Sequence, residues 1–135
     1  FERAHFKGVK FSGTFVGCDF GNWDSLDIGS IENCDFSEAL LDGCRFLRCN
    51  PETIMFPQWP YFTILNPSKA RDFVSSQNWP KKFLIKMSIY TDVDSECVAC
   101  VGDAIRLSND CQLELSEMKK LLMSVPNIFL RTAEV

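Results

Sequence analysis

The chain has 135 residues, 46% of them hydrophobic, with 14 Lys or Arg against 18 Asp or Glu and a formal net charge of −4. That length and apolar content suffice for one ordinary domain or two small ones, and the acidic balance argues against direct nucleic-acid binding. No run of about 18 apolar residues exists, which excludes a membrane-spanning helix, and an odd count of 7 cysteines without a signal-like stretch before them points to reduced thiols in a cytoplasmic protein.

Counting in fives from Phe1, large apolar residues recur at Phe6, Phe11, Val16, Leu26, Ile31, Phe36, Leu41 and Phe46, with Gly21 as the gap. Small residues stand two places before many of them, as in Ala4, Cys34, Ala39 and Cys44. Neither the helical period of 3.6 nor the strand period of two generates this spacing, whereas an internal repeat does. The units Ala4-His5-Phe6, Cys34-Asp35-Phe36, Ala39-Leu40-Leu41 and Cys44-Arg45-Phe46 carry it most clearly.

Over about its first 50 residues the chain therefore resembles the pentapeptide-repeat family. The resemblance implies a right-handed quadrilateral β-helix over residues 1–51, about two and a half coils long. Phe6, Leu26 and Phe46 would share one interior column, and Phe11, Ile31 and Pro51 the next. Gly13-Thr14-Phe15 and Cys18-Asp19-Phe20 fit the pattern better than units centred on Val16 and Gly21. A four-residue step after Phe11, a six-residue step to Leu26 and a kink near Gly21, Asn22 and Trp23 follow from that. A short solenoid needs both ends covered. At the amino end this predicts coils upstream of Phe1, a capping element there, or a homodimer contact over Phe1 and Phe6.

From position 52 the pattern becomes conventional. Tyr61 to Asn66 reads as a strand, Pro67-Ser68 starts a helix through Ala70, Phe73 and Val74, and alternation from Phe83 to Tyr90 reads as a second strand. A third strand from Cys97 to Leu107, a helix through Leu115, Met118, Leu121 and Leu122, and a strand from Asn127 to Thr132 complete the order β-α-β-β-α-β. That order predicts an α+β ferredoxin-like domain over 52–135, capping the rod.

Candidate chemistry is sparse. Cys97 and Cys100, with Cys111 beyond, have the spacing of two metal ligands but need others, so structural thiols are the reading and no metal or cofactor is expected. His5 stands outward without a triad context, and Gly102-Asp103-Ala104 lacks the glycines and lysine of a phosphate cradle, which argues against an enzyme. Between Phe11 and Cys44 there is no Lys or Arg, yet Asp19, Asp24, Asp27, Glu32, Asp35, Glu38 and Asp42 all fall there. On a coil they would form one acidic face fit for a protein partner. The segment from Phe56 to Phe62 offers Trp59 as an aromatic anchor or, preferably, a staple over the last coil. The function expected is non-enzymatic protein binding. The alternatives are an acidic DNA mimic or a target-protecting or immunity protein with a topoisomerase or toxin partner, and small-ligand sensing through the ferredoxin-like domain.

Overall fold

A strand edge that is not paired must be covered or bonded elsewhere, and this requirement decides how the amino-terminal repeats assemble. The computed structural model describes residues 4–21 and 30–131. Its first strands are β1 (His5–Lys7), β2 (Lys10–Val16), β3 (Asp19–Gly21), β4 (Ser30–Glu32), β5 (Cys34–Asp42) and β6 (Cys44–Leu47). They pair in parallel as β1 with β4, β2 with β5, and β3 with β6. These pairs belong to three separate sheets of two, three and five strands. Among the described residues none of them closes or repeats as a solenoid.

The expected quadrilateral β-helix is thereby corrected. Phe6 stands opposite Ile31, one whole five-residue unit beyond Leu26, and Phe46 stands opposite Phe20. The outer edge of β6 is taken by an antiparallel partner from the carboxyl-terminal part, β9 (Cys97–Asp103), rather than by a further parallel coil. Pro51 does not join Phe11 in a column but opens a 3-10 turn, Pro51–Thr53. The five-residue period reports which side chains face inward; it carries no information about which strand satisfies which edge.

On the inward assignment the period is informative. Ile31, Cys34, Phe36, Ala39, Leu41, Cys44 and Phe46 are all buried. The four-residue step after Phe11 is present too, since Phe20 is fully buried and Phe15 packs on the same core while Val16 is 59% exposed. Phe11 lies flat on Phe36 at 4.4 Å, and Phe20 on Phe46 at 5.2 Å. Of the expected kink, Asn22 and Trp23 lie outside the described residues.

After the turn come β7 (Ile54–Met55), β8 (Tyr61–Leu65), a 3-10 turn at Pro67–Ala70, α1 (Arg71–Ser75) and α2 (Lys81–Thr91). Beyond β9 follow α3 (Ala104–Cys111), α4 (Leu115–Met123) and β10 (Ile128–Phe129). The order is thus β-α-α-β-α-α-β from β8 onward, which replaces the expected ferredoxin-like β-α-β-β-α-β. The stretch read as a strand from Phe83 to Tyr90 is α2. Phe83, Met87 and Thr91 satisfy a four-residue helical spacing and are buried, while Ile85 and Ile89, which made the alternation, are exposed. The next strand stops at Asp103 because its carboxylate caps α3, accepting from the Ile105 N–H at 2.9 Å and the Arg106 N–H at 3.4 Å.

The five-stranded sheet, in the order β10-β8-β9-β6-β3, contains strands from both sides of residue 51. It separates two cores. Ala99 and Val101 of β9 face Phe20, Phe36, Phe46 and Phe56, while Cys100, Phe62 and Ile64 face Phe83, Met87, Met118 and Leu122. Each fully buried Phe contributes about 2–3 kcal/mol through removal of its surface from water. Among the described residues no helix is long and apolar enough to cross a membrane.

Candidate functional site

Parallel register places side chains of paired residues next to one another, and this reorganises the acidic stretch. Glu32 lies beside its register partner Lys7 at 3.9 Å, and Glu38 reaches Lys10 at 3.3 Å. Asp19 accepts two hydrogen bonds from its partner Arg45, at 2.8 and 2.9 Å. Asp42 accepts from the Arg106 guanidinium at 2.8 Å and from the Asp103 N–H at 3.3 Å. The cations come from positions 7, 10, 45 and 106, all outside the acid-only stretch. Asp24 and Asp27 lie outside the described residues. What reads as a single-sign face is, at these four positions, a set of ion pairs.

Asp35 differs. It makes no ion pair among the described residues, and its Oδ1 accepts from the Ser37 N–H at 2.8 Å. Hydrogen bonds from the Ser37 side chain and backbone, then the charges of Lys10 and Arg131, hold its carboxyl below the usual carboxylate range. Its register partners are Lys10 of β2 on one side and Met55 of β7 on the other.

The surroundings of Asp35 are built by two strand edges. Asn50 accepts from the Glu52 N–H at 3.0 Å and so caps the Pro51–Thr53 turn, which delivers the chain into β7. β7 is the outer strand of the sheet β2-β5-β7, and β10 is an outer strand of the five-stranded sheet. Both line one open hollow of about 460 Å³. Ile54, Met55, Phe56 and Phe129 supply its apolar surface, and Asp35, Glu52 and Arg131 its charges. A second hollow of about 260 Å³ shares Ile54, Phe56 and Phe129 and reaches Pro51 and Leu65. Arg131 spends Nη1 on the Phe56 carbonyl at 3.0 Å, which ties the end of β10 to the segment after β7. Met55 is 46% and Phe129 39% exposed. Glu52, Met55, Phe129 and Arg131 were not singled out by sequence, and no local signal brings positions 35, 52 and 129 together.

Other candidates are placed elsewhere. Trp59 does not staple the first core: it packs on the second, with Lys119 Nζ 5.3 Å from its ring centre, and Phe56 takes the first-core position against Phe46 at 5.2 Å. The aromatic order in Phe56-Pro57-Gln58-Trp59 thus splits between the two faces of the sheet. A smaller hollow between β5 and the helices holds Asp42, Lys86, Tyr90, Arg106 and Asp110. There Lys86 pairs with Asp110 at 3.5 Å and Arg106 with Asp42, so the cleft's cations are already bonded. His5 bonds Ser30 across β1 and β4 at 2.9 Å.

All seven cysteines are free thiols, and no group of three or more His, Cys, Asp or Glu among the described residues is arranged to hold a metal. Burial pushes Cys44 and Cys97 up to about 11 and Cys49 to about 12, and raises Cys100 and Cys111 as well. A thiol whose folded pKa exceeds its unfolded value of about 8.5 stabilises the fold fully below that pH and progressively less as pH rises toward the folded value. The urea midpoint is therefore expected to fall between about pH 7.5 and about pH 10, and Cys49→Ala to flatten part of that fall. An unchanged midpoint would contradict the burial of these groups. No protein-family model, no curated protein and no solved structure matches the chain, so the pentapeptide-repeat resemblance rests on the residue pattern alone.

Proposed function

We propose that this chain is a non-enzymatic binding protein that takes up an extended segment of another protein at the β7 and β10 edges. The observation carrying this reading is that edge strands of two different sheets line one open apolar hollow. Unpaired edges offer main-chain donors and acceptors to an incoming strand, and pockets beside them select alternate side chains. Exposed Met55 and Phe129 supply such pockets beside β7, a two-residue edge strand whose Ile54 N–H is already donated to the Pro51 carbonyl. The ion pairs of Asp19, Glu32, Glu38 and Asp42 withdraw the support that a single-sign face lent to imitation of duplex DNA. In the cleft beside Tyr90, Lys86 and Arg106 are each paired with a carboxylate, Asp110 and Asp42, which lends no particular support to small-ligand sensing there.

Selection of random displayed peptides against the whole chain tests the reading. Enriched peptides are expected to alternate apolar and polar residues. They should bind the double variant Met55→Ser, Phe129→Ala at least about tenfold more weakly. Both side chains are partly exposed, so the variant should stay folded by circular dichroism with a melting temperature lowered by only a few degrees, and Ile89→Ser on α2 should leave binding intact. Selected peptides that bind the double variant undiminished, or no enrichment at all, would refute the proposal.

A further inference from the structure

The partner's chemistry can be taken a step further, on the proposed reading of the β7 and β10 edges as the binding site. We infer that the incoming segment is basic, carrying Lys or Arg at alternate positions that Asp35 and Glu52 recognise.

Register supplies the geometry. Cys34 pairs with Ile54 and Asp35 with Met55, so the sheet has an inward row through Cys34 and Ile54 and an outward row through Asp35 and Met55. Exposure agrees: Cys34 and Ile54 are buried, whereas Met55 is 46% exposed. A strand added beside β7 continues both rows, whichever direction it runs. Its residue on the inward row meets Ile54, with Phe56 and Phe129 lining the same hollow, and must be apolar. Its residue on the outward row stands about 5 Å from Met55 and about 10 Å from Asp35. Only a long side chain spans that gap. The stem of a lysine or arginine would lie over the Met55 thioether with its charged head at the Asp35 carboxylate.

Charge complementarity selects the sign. Asp35 and Glu52 make no ion pair among the described residues, while Glu32, Glu38, Asp19 and Asp42 each have a cation of their own. Covering the hollow with an apolar strand would strip water from these two carboxylates, and an opposite charge from the partner offsets that loss. Arg131, after β10, keeps its positive charge while bonding the Phe56 carbonyl and acts on Asp35, but the two carboxylates outnumber it in the hollow. Lys10, the register partner of Asp35 on β2, turns its ammonium to Glu38 at 3.3 Å. Asp35 is also kept ionised by its bonds from Ser37.

Three synthetic peptides test this: alternating valine–lysine, valine–glutamate and valine–serine, titrated against the whole chain. The lysine peptide should bind about tenfold more tightly than the serine peptide, the glutamate peptide more weakly than either, and added salt should narrow the spread. In Asp35→Asn with Glu52→Lys, the asparagine keeps the acceptor for Ser37, and the order should reverse to favour glutamate. Reversal of two distant exposed acids, Asp94→Lys with Glu117→Lys, should leave the lysine preference in place. If all three peptides bind equally and all are lost in Met55→Ser, Phe129→Ala, the edge site stands and the basic partner is overturned. The inference also fails if the distant reversals act as strongly as those in the hollow. Absence of binding by every peptide would overturn the edge reading together with it.

Discussion

Phe46→Ala is expected to destabilise the chain by about 3–5 kcal/mol, the usual cost of emptying a fully buried aromatic site. Phe46 lies at the centre of the first core, with Phe20 stacked on it at 5.2 Å and the rings of Phe36 and Phe56 edge-on, each at 5.2 Å. A loss of that size is a large share of the roughly 5–15 kcal/mol typical of a folded domain. The more telling expectation concerns where the loss is felt. β6, which carries Phe46, is bonded to β3 on one side and to β9 on the other. Ala99 of β9 is its register partner, and the next residue, Cys100, faces the second core. Loosening β6 should therefore reach Phe62 and Met87 through the shared sheet. In a Trp23→Phe background, which removes the third tryptophan, urea unfolding followed by the fluorescence of Trp59 and Trp79, both on the second core, should shift in step with unfolding followed by circular dichroism. A second-core transition that stays put while the amino-terminal strands melt would show that the two cores unfold separately and that the sheet does not couple them.

The elements read correctly from the sequence share a physical property: their signal lies within one strand or helix. The inward side of Ile31, Phe36, Leu41 and Phe46, the strand at Tyr61–Leu65 and the helix at Leu115–Met123 each follow from local spacing. The misread ones depend on choices between distant segments. A five-residue period leaves the partner of Phe6 undetermined between Leu26 and Ile31, because both are apolar and both fit the period. α2 reads as a strand because positions 83, 85, 87 and 89 are all apolar, a pattern with period two that also contains the helical pair Phe83 and Met87. Burial by tertiary contacts then selected the helix. The candidate site was the least legible part. Asp35 stood in the acidic stretch, but its distinction from Glu32 and Glu38 exists only once Lys7 and Lys10 are placed. Phe129 enters the hollow only because β10 pairs with β8.

Gly21→Ala should be among the most damaging single-methyl additions in the chain, and comparison with Gly13→Ala isolates the reason. Both glycines sit at positive φ, 107° for Gly21 and 102° for Gly13, so alanine at either site incurs backbone strain of about 1–3 kcal/mol. A Cβ on Gly13 would meet nothing within 4 Å. At Gly21 it would run into the backbone carbonyl of Leu47, its register partner on β6. Backbone cannot rotate out of the way as a side-chain tip can, so the overlap has to be relieved by moving β3 away from β6, at a further cost of about 1–3 kcal/mol. Gly13→Ala is therefore expected to lose only the strain, and Gly21→Ala roughly twice as much. The same displacement would lengthen the contact between Asp19 and Arg45, two residues from the clash on each strand. Chemical denaturation of the two variants measures the difference directly. Equal losses would mean that the close approach of β3 to β6 contributes nothing, and that the absence of a side chain at Gly21 reflects backbone conformation alone.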